Sequence, residues 1–137
     1  MINSSNGALP LIGRILLGVI FFVSGLFKVA GYSQIVAYAA TKGLPLASVA
    51  IALAAAVEII AGIAVLAGFK ARIAAWLLFL YLIPTTFLFH NFWALHGMEQ
   101  QDNMIHFMKN LAIMGGLLFL AGSGDGQYSL DSRAAKA

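Results

Sequence analysis

The apolar run from Leu9 to about Ala30 is long enough to cross a bilayer, and it carries Arg14, Gly18, Phe21, Gly25 and Lys28 at steps of four, three, four and three. On a helix this spacing lays all five on one stripe. The positions between them are mainly Leu, Ile, Val, Phe and Ala, which suit lipid. A span with two cations and two glycines on one face therefore has a marked inner side. The glycines admit a neighbouring helix closely, and the cations require a partner, water or a headgroup.

Three further apolar runs follow, over about 46–67, 71–93 and 104–121. The chain reads as an all-α integral membrane protein, an antiparallel four-helix bundle forming one domain over residues 1–137. Composition agrees: 61% of residues are hydrophobic and 9% charged, against roughly 25% charged in soluble domains. The net charge of +3 is small and scattered, which suits orientation in a bilayer and argues against nucleic acid. The absence of Cys excludes disulfides, thiol redox chemistry and Cys-ligated metals. Met1 to Ala8 reads as a frayed polar leader. It lacks the basic start of a signal peptide, and a Lys lies where cleavage would fall.

The connections are short. Gln34 to Ala40 is predicted as a brief interfacial helix turning Ile35, Val36 and Tyr38 to the headgroups, and Pro45 suits the first turn of the second span. Gly68 to Arg72 is so short that spans two and three must form a tight hairpin. Pro84 leaves the carbonyl of Leu80 without its helical donor, so a kink is expected there, with Thr85 and Thr86 available to freed backbone groups. Ala94 to Asn103 reads as a solvated loop with Asn103 capping the fourth span, and Gly122 to Ala137 as a Gly-rich turn and polar tail. Four spans put both termini on one side with Arg14, Lys70, Arg72, Arg133 and Lys136. Lys28, Lys42 and Lys109 lie on the other. The bias predicts both termini in the cytoplasm.

Glu58 stands near the centre of the Ala-rich second span. An acid at that depth costs about 2.5 kcal/mol or more even on insertion scales, so it must face inward, paired or protonated. Helix rise sets Arg14 at an axial offset on the order of 8 Å from it, and Arg suits a buried carboxylate through its bidentate fork. Arg14 is the expected partner, with Lys109 next, while Lys28 and Arg72 start farther away.

Arg14-x3-Gly18-x2-Phe21-x3-Gly25-x2-Lys28 resembles the opening of DoxX-family membrane proteins. Glu58-x3-Gly62 with Gly68-x3-Arg72, then His90-Asn91-Phe92-Trp93, Lys109-Asn110-Leu111, Gly122-x-Gly124 and Ser129-Leu130-Asp131 resemble the rest of that pattern in order. The resemblance implies a four-helix bacterial inner-membrane protein. It also implies association with quinone-linked redox or oxidative-stress processes, since relatives include a subunit of thiosulfate:quinone oxidoreductase.

Two functional classes stay open. In one, the chain is a membrane subunit that docks a redox enzyme and has no catalytic residues of its own. No flavin or nucleotide fingerprint is visible, and there is no Cys. In the other, the bundle binds a small amphiphile such as a quinone or a lipid. Phe21, Phe87, Phe92 and Trp93 are then candidate walls, and Lys28, His90, Lys109 and Asn110 candidate donors converging at the outer end. A metal site among His90, His96, His106, Glu99 and Asp102 is disfavoured, because no ligand spacing matches a metal motif. Proton transport through Glu58 would need an oligomer of so short a chain, and a homo-oligomer is left open.

Overall fold

A computed structural model describes residues 7–137; the leader reading of Met1 to Ala8 falls largely outside the described residues. The described residues form six α-helices: α1 Ala8–Ala30, α2 Tyr32–Thr41, α3 Ala47–Ala67, α4 Ala71–Phe89, α5 Gly97–Ser123 and α6 Leu130–Ala134, with a 3₁₀ turn at Phe92–Ala94 between α4 and α5. Among the described residues four stretches are long and apolar enough to cross a membrane: Ala8–Ala30, Ala47–Ala67, Ala71–Ala94 and Gly97–Ser123. Four long apolar helices and a short helix after the first agree with the sequence reading.

Helix α3 is the hub, packed along α1 on one side and α4 on the other, with α5 against α4 and only a thin seam between α1 and α5. Small residues permit the closest approach. A Cβ at Gly62 would lie 2.9 Å from the Phe22 backbone nitrogen, and one at Gly18 would lie 2.6 Å from Leu66 and 3.1 Å from the Gly62 carbonyl. Lipid-embedded helices gain little from burying one more apolar group, so this backbone proximity is what holds α1 to α3. Across the α3–α4 hairpin, Ala61, Val65, Ala74, Ala75 and Leu78 join Phe21, Leu117 and Leu120 in the buried core. Large exposed side chains such as Leu16, Leu53, Ile60, Ile73 and Phe119 face outward, as lipid requires.

The α3–α4 turn is tight because Gly68 and Lys70 both take positive φ, 67° and 47°. Gly68 ends α3 with N–H bonds back to Val65 and Ala64, its own and that of Phe69. Helix α4 runs unbroken through Pro84. The Thr85 hydroxyl bonds the Tyr81 carbonyl at 2.8 Å, while Thr86 is engaged elsewhere, by Asn110.

Two sequence expectations fail. Helix α5 starts at Gly97, so 97–103 are its first two turns and not a loop. Those residues are mostly helix formers, and Glu99 in the first turn favours the dipole. At 27 residues the helix is about 40 Å long against about 30 Å of hydrocarbon, so its polar start extends beyond the lipid core. Asn103 is inside the helix, donating to the Glu99 carbonyl at 3.0 Å. The polar tail, read as a Gly-rich turn and polar segment, carries a short helix: Ser129 caps α6, accepting from Ser132 N–H, and the segment folds back over the α3–α4 turn, where the Asp131 N–H donates to the Gly68 carbonyl.

Candidate functional site

Burial on α1 follows its stripe: Arg14, Gly18, Phe21 and Gly25 are its buried residues. The cations at the two ends of that stripe meet different partners. The Lys28 ammonium donates to both Glu58 oxygens, at 3.1 and 2.9 Å, and to the Ser24 hydroxyl at 3.0 Å. The Tyr81 hydroxyl donates to Glu58 Oε1 at 2.8 Å. Glu58 is therefore paired inside the bundle, and its partner is Lys28, not Arg14. Among the described residues this is the one ion pair.

Register and lean explain the correction. Gly25 abuts Ile59 and the Glu58 Cβ, Gly18 abuts Gly62, and the Arg14 guanidinium abuts Gly68. Glu58 is thus level with Gly25, and Arg14 lies beside Gly68, about 15 Å farther along α3. Helical side chains also lean toward their own N-terminus. In antiparallel α1 and α3 this tilts Lys28 and Glu58 toward one another and Arg14 away from Glu58. The expectation of an 8 Å offset took the two helix ends as level and had Arg14 and Glu58 lean toward each other, whereas Arg14 leans away.

Arg14 is buried all the same. Its two terminal nitrogens donate to the backbone carbonyls of Asp125 and Tyr128, at 2.5 and 2.7 Å. Asp131 holds the tail from the other side, accepting from the Lys70 N–H at 2.6 Å and donating its own N–H to the Gly68 carbonyl at 3.0 Å. Arg72 closes the C-terminus of α5 through the Ala121 and Gly122 carbonyls, at 2.9 and 3.1 Å. The Asp125 carboxyl is pushed up to about 6, first by burial and then by neighbouring Asp131, with Arg14 and Arg72 opposing.

At the opposite end, the rings of Phe87, Phe92, Trp93 and Phe107 form one cluster with centroids 5.4–6.1 Å apart. Next along the chain, the His90 and His106 rings stack at 5.2 Å. His90 Nδ1 lies 3.3 Å from Asn103 Oδ1, His106 Nδ1 lies 3.1 Å from the Lys109 ammonium, and Lys42 reaches Asn91 at 3.5 Å. Of the residues expected to share a site, His90, Trp93 and Lys109 come together here. Lys28 does not join them, being held by Glu58, and neither does Asn110, which is buried and donates to the Thr86 hydroxyl at 3.1 Å. Among the described residues no three His, Asp or Glu side chains are gathered as metal ligands.

Tyr81 is the residue that sequence reasoning missed. The signal was available, because Glu58 stands ten residues before Gly68 and Tyr81 eleven after Lys70, counts from the hairpin turn that differ by one residue and so set nearly the same depth.

Residues 9–91 match the DoxX protein family. The chain is 38% identical to inner membrane protein YphA of Escherichia coli over 131 residues, covering 96% of this chain and 94% of that one. It is 36% identical to inner membrane protein YqjF of the same organism, over 88% of each chain. A shorter similarity, 34% over 71 residues, reaches a Surfeit locus protein 4 homolog of Schizosaccharomyces pombe, covering 24% of that protein. No solved structure matches.

Proposed function

The chain belongs to the DoxX family and is a multi-pass inner-membrane protein, and from that premise we propose that it acts as a membrane subunit in quinone-linked redox or oxidative-stress processes, without catalytic chemistry of its own. One observation carries the non-catalytic part. All three charged side chains of α1 and α3 are engaged within the chain: Arg14 by tail carbonyls, Lys28 by Glu58 and Ser24, and Glu58 by Lys28 and Tyr81. A carboxylate held by an ammonium and a phenol is a helix lock, with little freedom to shuttle protons. The quinone link rests on the ordered motifs that resemble the family. On this reading both termini face the cytoplasm, which the bias of Arg14, Lys70, Arg72, Arg133 and Lys136 toward their side supports; reporter fusions after Lys42 and Leu95 that read cytoplasmic would reverse this.

A second reading, a quinone or lipid bound at the outer end, is favoured by the four-ring cluster beside His90, His106 and Lys109. Aromatic walls with adjoining donors suit an apolar ring bearing carbonyl oxygens. Mass spectrometry of lipids extracted from protein purified in mild detergent separates the two. The subunit reading expects quinone well below one per chain, whereas one per chain, lost in Trp93→Ala, establishes the binder. The redox association has its own test: cells lacking the chain should show a shifted quinone-to-quinol ratio under oxidative challenge, and an unchanged ratio would remove it.

A further inference from the structure

An apolar groove of about 620 Å³ runs between α3 and α4 on the face turned away from α1. Its floor is made of alanines, including Ala61, Ala64 and Ala74, and its rim includes Ile60 and Ile73, both exposed. The α3 wall extends from Leu53 to Ala67 and the α4 wall from Ile73 to Leu77. These are rises of about 21 and 6 Å, and the longer, on α3, is enough for the roughly 15 Å depth of one leaflet. The groove ends at the α3–α4 turn beside Lys70 and Leu130, and a smaller cavity of about 360 Å³ shares Ala67 and Leu130 with it and reaches Arg133.

From this arrangement we infer that the groove and its neighbour bind one anionic phospholipid of the leaflet on the side of the termini, an acyl chain along the alanine floor and the phosphate between Lys70 and Arg133. Charge complementarity decides the occupant. Lys70 and Arg133 are exposed, and neither is in an ion pair among the described residues. The Lys70 ammonium instead lies over the Phe69 ring, 5.7 Å from its centroid. The nearby Asp131 carboxylate is engaged by the Lys70 backbone N–H and by the Asp125 carboxyl. Basic positions at the mouth of a groove between membrane helices, at headgroup depth, are suited to lipid phosphates. A second copy fits less well. Parallel protomers related by a two-fold axis along the membrane normal would bring Lys70 and Arg133 level with their own counterparts.

The test is native mass spectrometry of the delipidated full chain, titrated with phosphatidylglycerol or with phosphatidylcholine of the same acyl chains. The wild type should retain one phosphatidylglycerol with a preference of about tenfold or more. The pair Lys70→Gln and Arg133→Gln should bring that preference close to one while leaving phosphatidylcholine retention unchanged. Ala64→Phe, which fills the floor, should weaken retention of both lipids. The charge variant alters only exposed side chains, so it decides the matter even where Ala64→Phe folds poorly. Equal retention of the two lipids by the wild type, an undiminished preference in the charge variant, or a lipid-free two-chain mass would each overturn the site.

Discussion

The two ends of α1 solve one problem in opposite ways. At one end Arg14 is buried against carbonyls, so a charge is satisfied by dipoles from a tail that arrives late in the chain. At the other, Lys28 meets a full carboxylate on the neighbouring helix, with Ser24 and Tyr81 completing the cluster. The guanidinium fork spans two carbonyls at once, whereas an ammonium is a compact charge that fits between two carboxylate oxygens. The Arg14 end therefore ties the tail to the bundle, and the Lys28 end ties one helix to another. Loss of a partner should be felt globally at the Lys28 end and locally at the Arg14 end.

The largest effect is expected at Glu58. Glu58→Gln keeps the shape and strands the Lys28 ammonium, and breaking a buried pair costs about 3–5 kcal/mol. The lower part of that range is expected, because the Lys28 side chain is 19% exposed and lies in the last turn of α1, from where it can extend to the interface. Adding Lys28→Met should recover part of the loss, whereas adding Arg14→Met should not. Thermal melts in detergent for the single and double variants measure this. Recovery with Arg14→Met in place of Lys28→Met would invert the comparison.

A smaller and more local loss is expected from Arg14→Met. It removes two charge-assisted bonds, each of the class worth about 1.5–3 kcal/mol, but their acceptors belong to the tail. The amides of Lys70 and Asp131, now bonded to Asp131 and Gly68, should exchange with deuterium about tenfold faster or more, with exchange at the middle of α3 unchanged. Equal acceleration across α3 would show that Arg14 supports the bundle itself.

The smallest effect is a pH dependence confined to the Arg14 end. Asp125 titrates near 6 in the folded chain, above the ordinary 3.8, so the folded state holds its proton more tightly than the unfolded one. The resulting stabilisation is complete below about 3.8 and is lost as pH rises through 6. Exchange at Lys70 and Asp131, corrected for intrinsic rates, should accordingly be slower at pH 5 than at pH 7.5. The facing groups are Asp131, Arg14 and Arg72, and Asp125→Asn should flatten the profile. A slope of opposite sign would mean that the ionised carboxylate, drawn by Arg14 and Arg72, stabilises the tail.

Local pattern was enough for much of this protein. Span length and composition dictate four membrane helices, because a continuous apolar run of about twenty residues satisfies its backbone hydrogen bonds in lipid within itself only as a helix. The step of three and four on α1 marks the buried face, and the depth of Glu58 requires an inward acid with a partner. The DoxX resemblance was legible in part for the same reason, since its opening motif is the α1 stripe and its second includes Glu58. The tertiary structure decided which cation Glu58 meets, because that depends on the register of α1 against α3 and on the opposite lean of their side chains. It also decided that the polar tail is ordered, since Arg14, Gly68 and Lys70 supply its partners from more than fifty residues away. Asn110 has the same lesson: its amide could have faced a ligand or a neighbouring helix, and only the packing of α5 on α4 directs it to Thr86.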